Sequence, residues 1–393
     1  MSAFVLASTA AWLLVVASGW LFRSRAYAIF RGVTLGLQVL VTSTLAPHFG
    51  ELFWAAVYLQ AAVFVSSLLL VRPRLRGLFY RGTVSVPAAF FSAGTLLALP
   101  WALVSAAGFT PHGLWIPYLL AAIGILQSLA TREEAVDLVV RDGVTIDGLR
   151  RHDAGGLRSE RPLRVIQITD PHLGPFMSVR RLRRICERAV HREPDLVVLT
   201  GDFLTMESQA RPELLAAALA PLRQLSGRTF ACFGNHDHEA PETVKRALAE
   251  AGVHLLVDDA AEVSTPAGDV QILGFDFVWR ERARHLAQVT ALHPRKPGFL
   301  RLLLLHDPGA FRHLPEGEGD LVLSGHTHGG QVGLVSLGLP WTMMRAFVSA
   351  PDHGLWARGP DRLYVHRGTG HYGFPLRLGV PSEESLLQIH LAR

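Results

Sequence analysis

The first 130 residues of this 393-residue chain contain no lysine, no aspartate and a single glutamate, Glu51, beside seven arginines. Soluble domains carry roughly a quarter of their residues as charged side chains, so this composition excludes an ordinary soluble domain in the first third of the chain. Internal repeats, low-complexity tracts and heptad series are also missing from the sequence. Their absence excludes repeat and coiled-coil architectures.

The remaining 263 residues hold 31 of the 38 Lys and Arg residues and 32 of the 33 Asp and Glu residues, so their formal charge is −1. The sequence pI of about 9.6 therefore originates in the first 130 residues. Nucleic-acid binding requires a basic patch on the domain that binds, and we expect no nucleic-acid partner. Cys186 lies in a helical pattern and Cys232 ends an apolar run, so no disulfide between them is expected.

Five apolar runs of about membrane-spanning length occupy the first third of the chain. They lie at roughly 4–22, 32–47, 52–71, 84–108 and 112–130. A hydrocarbon layer of about 30 Å requires about 20 such residues in a helix, and the second run is the shortest. Trp20, Trp54 and Trp115 lie toward run ends, where the membrane interface favours aromatic rings. The runs predict an all-α, multi-span transmembrane domain of about five helices over residues 1–130.

The seven arginines form two clusters, Arg23 to Arg31 and Arg72 to Arg81. The clusters separate runs one and two, and runs three and four. The positive-inside rule then places both clusters in the cytoplasm, the N-terminus outside and the chain after run five inside. We therefore expect a multi-pass protein of the cell membrane with its following domain in the cytoplasm; one miscounted span would place that domain outside.

The membrane part could serve as an anchor or as a transport pathway. Glu51, His48 and His112 are the ionisable groups nearest the runs apart from the arginines, and all three lie at run ends. Transport pathways place such groups within the spans, so the sequence favours an anchor.

After a linker expected over residues 131–162, the pattern changes to short apolar runs that alternate with helical patterns. Strands are predicted near 162–169, 195–200, 228–233, 254–258, 261–265, 270–275, 301–305, 320–323, 362–367 and 385–391, and helices near 178–192, 211–225 and 241–251. Apolar strands that alternate with helices predict a layered α/β fold whose sheets are covered on both faces. This domain is expected over residues 163–393.

Polar blocks follow five of the predicted strands. They are Asp170-Pro171-His172, Gly201-Asp202, Gly234-Asn235-His236-Asp237, His306 and Gly325-His326-Thr327-His328. Asp-x-His or Gly-Asp alone is common in turns, whereas Gly-Asn-His-Asp and Gly-His-x-His are rarer. Binding sites collect at the C-terminal edge of strands in α/β sheets. Five such blocks at five strand ends favour a metal site over coincidence.

The five blocks resemble the calcineurin-like metallophosphoesterases, whose pattern is D-x-H, G-D, G-N-H-[DE], a lone H and G-H-x-H. The sequence G-H-T-H-G-G-Q at 325–331 is similar to the signature of the bacterial membrane-associated branch of that family. The resemblance covers roughly residues 160–393. It implies a four-layer α/β/β/α metallophosphoesterase sandwich behind the transmembrane domain.

The resemblance also implies a ligand set for two divalent metal ions, of Mn, Fe or Zn type. One ion would bind Asp170, His172, Asp202 and His328, and the other Asp202, Asn235, His306 and His326, with Asp202 bridging. Two cations about 3.5–4 Å apart lower the pKa of a shared water, so that hydroxide forms near neutral pH. His236 is expected to be the general acid that protonates the leaving oxygen, with Asp237 orienting its other nitrogen.

The preferred function is hydrolysis of a phosphodiester or pyrophosphate bond in a lipid-linked substrate. Some relatives in the branch cleave UDP-diacylglucosamine, which makes it the specific candidate. The expected partners are the lipid bilayer and this phosphorylated substrate. The apolar segment 332–350 follows the last ligands directly, and its Trp341, Met343, Met344 and Phe347 would line an acyl-chain groove, enter the membrane interface or pack in a core.

Two other functions are open to the sequence. The same chemistry could act on a soluble substrate, with the membrane part serving only as an anchor. A metal-free scaffold is the second alternative, and lost ligands would mark it. Every ligand position is filled in this sequence, which argues against the scaffold.

Overall fold

The computed structural model describes residues 2–141, 143–152, 159–371, 373 and 376–391. The chain divides into two compact units. The helical unit comprises Met1–Leu129 and Gly373–Leu378, and the sandwich unit comprises Ala130–Tyr372 and Gly379–Arg393. A short segment near the C-terminus therefore belongs to the same unit as the N-terminal helices.

Among the described residues, seven α-helices belong to the helical unit. They are α1 (Ser2–Phe22), α2 (Arg25–Leu45), α3 (Phe53–Leu69), α4 (Leu78–Tyr80), α5 (Val86–Leu97), α6 (Leu99–Ala106) and α7 (Trp115–Ser128). Within the described residues, three helical segments are long and apolar enough to cross a membrane: Ala3–Phe22, Arg25–His48 and Gly50–Leu69. The second of these contains the shortest apolar run, 32–47. Its helix is longer than that run because it begins at Arg25, after the N-cap Ser24.

The expectation of five spans differs from the structure in the second half of this unit. Leu78–Leu97 and Leu99–Ala106 form one apolar pair bent by 54°, which makes up to four candidate spans among the described residues. Pro100 lies at the start of α6, where it cannot donate the backbone hydrogen bond that a continuous helix requires. Helix α7 has 14 residues, about 21 Å at 1.5 Å per residue, so it is short for a fifth span.

Polar and backbone contacts join the helices of this unit. Buried Gln38 on α2 donates to Gln60 on α3 and to Thr95 on α5, each at 3.1 Å. The backbone N–H of Arg377 donates to the carbonyl of Gly124 on α7 at 3.1 Å. A Cβ at Gly124 would lie 2.1 Å from Cδ1 of Leu376, so glycine leaves space at this position for the Leu376 side chain.

The described part of the sandwich unit contains thirteen strands and four α-helices. The strands are β1 (Thr131–Val140), β2 (Ile146–Arg151), β3 (Leu163–Ile168), β4 (Leu196–Leu199), β5 (Thr229–Ala231), β6 (His254–Leu255), β7 (Asp259–Thr265), β8 (Gly268–Gly274), β9 (Leu300–Leu304), β10 (Leu321–Ser324), β11 (Gly354–Gly359), β12 (Asp361–Val365) and β13 (Ser382–Leu391). The helices are α8 (Val179–His191), α9 (Pro212–Leu219), α10 (Pro241–Glu250) and α11 (Arg282–Leu292).

Two mixed sheets form the centre of this unit. The first has the order β1-β13-β3-β4-β5-β6, and the second has the order β2-β11-β12-β10-β9-β8-β7. Strands β3 to β6 are parallel to one another, as are β8, β9, β10 and β12. The observed arrangement confirms the α/β sandwich that was predicted for this part of the chain.

Alternating side chains assign each face of the sheets to a different core. In β4, Leu196 and Val198 pack between the two sheets, whereas Val197 and Leu199 pack against helices α8 to α10. This division follows from the period of two in a strand. Phe311 in the turn Pro308–His313, with Leu286 and Val289 of α11, covers the other face of the second sheet. The layers are therefore helix, sheet, sheet and helix.

The linker expected over 131–162 is wrong where the structure describes it. Strand β1 pairs with β13 in parallel over ten residues, and β2 pairs with β11 at the edge of the second sheet. The first residues of β1 are polar and partly exposed, and only Leu138–Val140 are fully buried. This composition, which suits an edge strand, resembles that of a linker. Strand β11 and helix α11 were also not predicted.

Candidate metal centre

The five polar blocks follow the C-terminal ends of five strands. Strands β3, β4 and β5 are parallel neighbours in the first sheet, and β9 and β10 are parallel neighbours in the second. The loops after these strands carry the candidate ligands Asp170, His172, Asp202, Asn235, His306, His326 and His328. Residues separated by more than 150 positions in the sequence thus reach one region.

The candidate ligands form two groups of three. Asp170, His172 and His328 make one group, and Asp202, His306 and His326 make the other; within each group the ligand atoms lie within 4.8 Å of one another. Oδ1 of Asp170 lies 3.5 Å from Nε2 of His328 and 3.8 Å from Nε2 of His172. Each group therefore offers one carboxylate and two imidazoles to a cation.

Asp202 connects the two groups. Its Oδ2 lies 3.3 Å from Nε2 of His306 in its own group and 3.6 Å from Nε2 of His172 in the other. Its Oδ1 accepts a hydrogen bond from the backbone N–H of His236 at 2.8 Å. One oxygen thus faces both groups while the other fixes the carboxylate, as a bridging ligand requires.

Asn235 supplies the amide oxygen of the expected set. Among the described residues, its Oδ1 is buried and has no hydrogen-bond partner. A buried acceptor without a partner costs about 1–3 kcal/mol, and a cation would remove that cost. A Cβ on the preceding Gly234 would lie 2.3 Å from Oδ1 of Asp202, so glycine is required where this loop approaches the bridging carboxylate.

Five of the candidate ligands adopt left-handed backbone conformations. Their φ angles are 51° at Asp170, 43° at His172, 57° at Asp202, 69° at His326 and 51° at His328. A non-glycine residue in this region costs roughly 1–2 kcal/mol. Such strain concentrates at functional sites, where surrounding structure holds it in place. The loops are therefore shaped for the position of the side chains rather than for backbone stability.

Hydrogen bonds orient the ligand side chains. Nδ1 of His306 lies 2.6 Å from the carbonyl oxygen of Thr200, so this nitrogen donates and leaves Nε2 facing Asp202. Thr169 donates to Oδ2 of Asp170 at 2.7 Å, and the backbone N–H of His326 donates to the same oxygen at 3.0 Å. Imidazole ligands of metals are commonly fixed in this way by an outer partner.

Asp237 occupies a different position from the one expected. Its carboxylate is buried and accepts backbone hydrogen bonds from Asp202 at 2.7 Å, Gly234 at 2.8 Å and Phe203 at 2.9 Å. Both of its oxygens are therefore engaged in joining the loops after β4 and β5. The expectation that Asp237 orients His236 is wrong for this reason.

Glu239 is the residue that holds His236. Its Oε1 lies 2.8 Å from Nδ1 of His236. Burial lowers the pKa of His236, but this hydrogen bond and nearby carboxylates outweigh burial and raise the pKa above its ordinary value. Sequence reasoning missed Glu239, although its spacing of three residues from His236 could have indicated the pair.

The electrostatics of the cluster suit cations. Burial lowers the pKa of His172 to about 3 and that of His326 to about 4, so both are neutral at neutral pH, as ligation requires. Burial lowers the pKa of His306, but Asp202 outweighs burial and raises it to about 10. A proton on His306 thus compensates Asp202 when no cation is bound. The two carboxylates, four imidazoles and one amide oxygen fit Mn, Fe or Zn.

Comparisons with known proteins identify the domain that carries this site. The model of the calcineurin-like phosphoesterase family matches residues 163–330. Phosphodiesterase YaeI of Escherichia coli is 28% identical over 235 residues, which cover 58% of this chain and 82% of the relative. UDP-2,3-diacylglucosamine pyrophosphatase LpxG of Chlamydia trachomatis is 26% identical over 283 residues, which cover 58% of this chain and 83% of the relative.

The name of one further relative mentions both a transmembrane part and a metallophosphoesterase domain. A transmembrane protein with metallophosphoesterase domain from Danio rerio is 30% identical over 235 residues, which cover 56% of this chain and 52% of the relative. The chain thus spans about half the length of that relative. All seven candidate ligands lie inside the family match at 163–330. Residues 163–330 therefore form a calcineurin-like phosphoesterase domain. This domain, together with relatives named phosphodiesterase and pyrophosphatase, supports a phosphoester hydrolase.

Proposed function

We propose that the sandwich unit hydrolyses a phosphodiester or pyrophosphate bond in a lipid-linked substrate with the help of two divalent cations. The observation that carries this proposal is the position of Asp202, whose Oδ2 lies within 3.6 Å of ring nitrogens from both ligand groups. The proposed ligands are Asp170, His172, Asp202 and His328 for one ion and Asp202, Asn235, His306 and His326 for the other. Bound cations would supply charge that activates water and stabilises the phosphoryl oxygens.

His236 is the proposed general acid. Its ring lies beside the ring of His172, with centroids 5.6 Å apart in an edge-to-face arrangement. Glu239 holds Nδ1, so we assign Nε2 as the nitrogen that donates a proton to the leaving oxygen. The backbone N–H of His236 binds Asp202, which fixes the distance between the proposed acid and the proposed bridging ligand.

The substrate class is supported by the membrane features of the chain. Three helices are apolar and long enough to cross a membrane, so the helical unit is proposed to be a membrane anchor. The relative from Chlamydia trachomatis is named for cleavage of UDP-2,3-diacylglucosamine, a pyrophosphate that carries acyl chains. We propose this compound, or a pyrophosphate of the same chemical class, as the substrate.

The proposed sidedness of the domain depends on whether helix α7 crosses the membrane. With both arginine clusters in the cytoplasm, α1, α2, α3 and the bent pair α5–α6 leave the chain outside unless α7 crosses as well. We propose that α7 crosses, despite its 14 residues, and that the domain lies in the cytoplasm. Accessibility of a cysteine introduced at exposed Leu292 on α11 to a membrane-impermeant thiol reagent in intact cells tests this assignment.

The function is tested with the full chain in native membranes. Turnover is measured with Mn²⁺ and with chelator on UDP-2,3-diacylglucosamine, other lipid pyrophosphates, a soluble nitrophenyl diester and a cyclic nucleotide. We expect Mn²⁺-dependent cleavage of a lipid pyrophosphate, and loss of that activity in an Asp202→Ala preparation. Turnover of soluble substrates alone would contradict the lipid-linked class and favour the membrane part as an anchor only.

A further inference from the structure

The sandwich unit exposes an apolar loop, residues 334–348, directly after the candidate ligands. Its exposed large side chains are Leu334, Leu337, Leu339, Trp341, Met343, Phe347 and Val348. Between His328 and Asp352 the sequence holds one charged residue, Arg345. These side chains do not pack in a core, which was one of three possibilities for this segment. Exposed apolar side chains gathered in one loop favour an interaction surface.

Backbone hydrogen bonds hold the apolar loop in this exposed conformation. The N–H of Leu334 donates to Trp341 at 2.9 Å, and the N–H of Met343 donates to Val332 at 2.8 Å. Buried Thr342 donates through its hydroxyl to Oδ2 of Asp352 at 2.6 Å. Leu337 and Trp341 are therefore exposed in a loop whose backbone conformation is held by hydrogen bonds.

A hydrogen bond joins the loop to the part of the chain that directly follows the helical unit. The N–H of Ser336 donates to the carbonyl of Gly379 at 2.8 Å, and Gly379 directly follows Gly373–Leu378 of the helical unit. The apolar loop is thus bonded to the first residue after a segment of the proposed membrane anchor. The residue that accepts this hydrogen bond is therefore joined through one peptide bond to the proposed membrane anchor.

The composition of the loop and its border also suits a lipid surface. Trp341 is of the residue type that favours the boundary between headgroups and acyl chains. Exposed Arg345 lies within the loop. Exposed Arg312 donates a hydrogen bond of 2.7 Å to the carbonyl oxygen of Ser349, which directly follows the loop. Anionic lipid headgroups attract basic side chains that lie next to a membrane-binding segment.

We propose that the apolar loop inserts its side chains into the surface of the bilayer that holds the helical unit. The proposal rests on the membrane assignment made above and does not depend on the catalytic assignment. It has a consequence for the metal centre, because Thr327 donates to the carbonyl of Asp352 at 2.6 Å. Thr327 lies between His326 and His328, so insertion would hold the turn with these two ligands close to the headgroups.

Site-specific fluorescence in the full chain tests the insertion. Cys186 and Cys232 are both buried, so a Leu337→Cys variant can be labelled selectively with an environment-sensitive fluorophore. Leu292→Cys on α11 is the matched control, since both leucines are 74% exposed. The proteins are reconstituted in phosphatidylethanolamine–phosphatidylglycerol vesicles with and without a nitroxide-labelled lipid. We expect a blue shift and loss of emission at residue 337, with neither at residue 292, and protection of residue 337 from aqueous iodide.

Two results would overturn insertion. The first is quenching by nitroxide lipid at residue 337 that does not exceed quenching at residue 292. The second is protection from iodide without quenching by lipid, which would identify a protein rather than a bilayer as the covering partner. Phe347→Cys, at a position 80% exposed, repeats the measurement at a second site. Hydrolysis assays on the same vesicles keep this outcome separate from that of the proposed function.

Discussion

Glu239 accepts a hydrogen bond of 2.8 Å from Nδ1 of His236. Asp237, which follows His236 in the sequence, instead accepts hydrogen bonds from backbone N–H groups. Gln209 donates to the other oxygen of Glu239 at 2.8 Å and so fixes its carboxylate. Two neighbouring acids in one loop thus have separate tasks. Glu239 orients the proposed acid, whereas Asp237 joins the backbone of two loops.

Glu239→Gln is expected to lower kcat roughly 10–100-fold, the usual scale for partners that orient a functional imidazole. The carboxylate raises the pKa of His236, and a neutral amide would raise it less. Since a general acid must carry its proton, the alkaline limb of the kcat profile should move to lower pH. Glu242→Gln, at an exposed residue paired with Lys245, is the control. An unmoved alkaline limb would remove Glu239 from the mechanism.

Asp237→Ala is expected to destabilise the sandwich unit. Three buried backbone N–H groups would lose a carboxylate partner, and each hydrogen bond to a charged group contributes about 1.5–3 kcal/mol. The melting temperature of the full chain in detergent measures the effect, with Asp269→Ala at the exposed start of β8 as the control. Equal melting temperatures for the two variants would contradict this structural task.

Local patterns predicted the strands that carry the site because those strands are buried on both faces. In β4 the four residues Leu196–Leu199 are all buried, so the sequence reads as one apolar run with a polar end. Strand β1 is different, since it lies at a sheet edge and its burial depends on pairing with β13, some 250 residues away. Such pairing leaves no local signal in the sequence.

The candidate ligands were predictable for a similar reason, whereas the residues and backbone conformations that hold them in place were not. Each ligand lies in a short block with its own glycine or strand end, and Gly234 or Gly325 can be recognised without knowledge of the fold. The task of Asp237 depends on the approach of Asp202 and Phe203 from another loop. The left-handed φ angles of Asp170 and His326 also arise from tertiary contacts, so residue type did not reveal them.

Asp202→Ala is expected to weaken both metal sites, because Oδ2 faces imidazoles of both groups. Asp170→Ala is the matched comparison, since Asp170 belongs to one group. After reconstitution with Mn²⁺ and removal of free metal, elemental analysis should give about one ion per chain for Asp170→Ala and fewer for Asp202→Ala. Two ions bound to Asp202→Ala would show that Asp202 does not bridge.

His236→Ala is expected to keep both metal ions and to lower kcat by roughly 10²–10⁴, the usual scale for acid–base groups. The neighbouring His238 is exposed and pairs with Asp276 at 2.9 Å, so His238→Ala should retain activity and serves as the control. Loss of a general acid lowers kcat least when the leaving group is stable as an anion and departs without a proton. The deficit of His236→Ala should therefore shrink on a p-nitrophenyl ester relative to an alkyl ester. An equal deficit on both esters would indicate that His236 positions the substrate or the metal ligands and does not donate the proton.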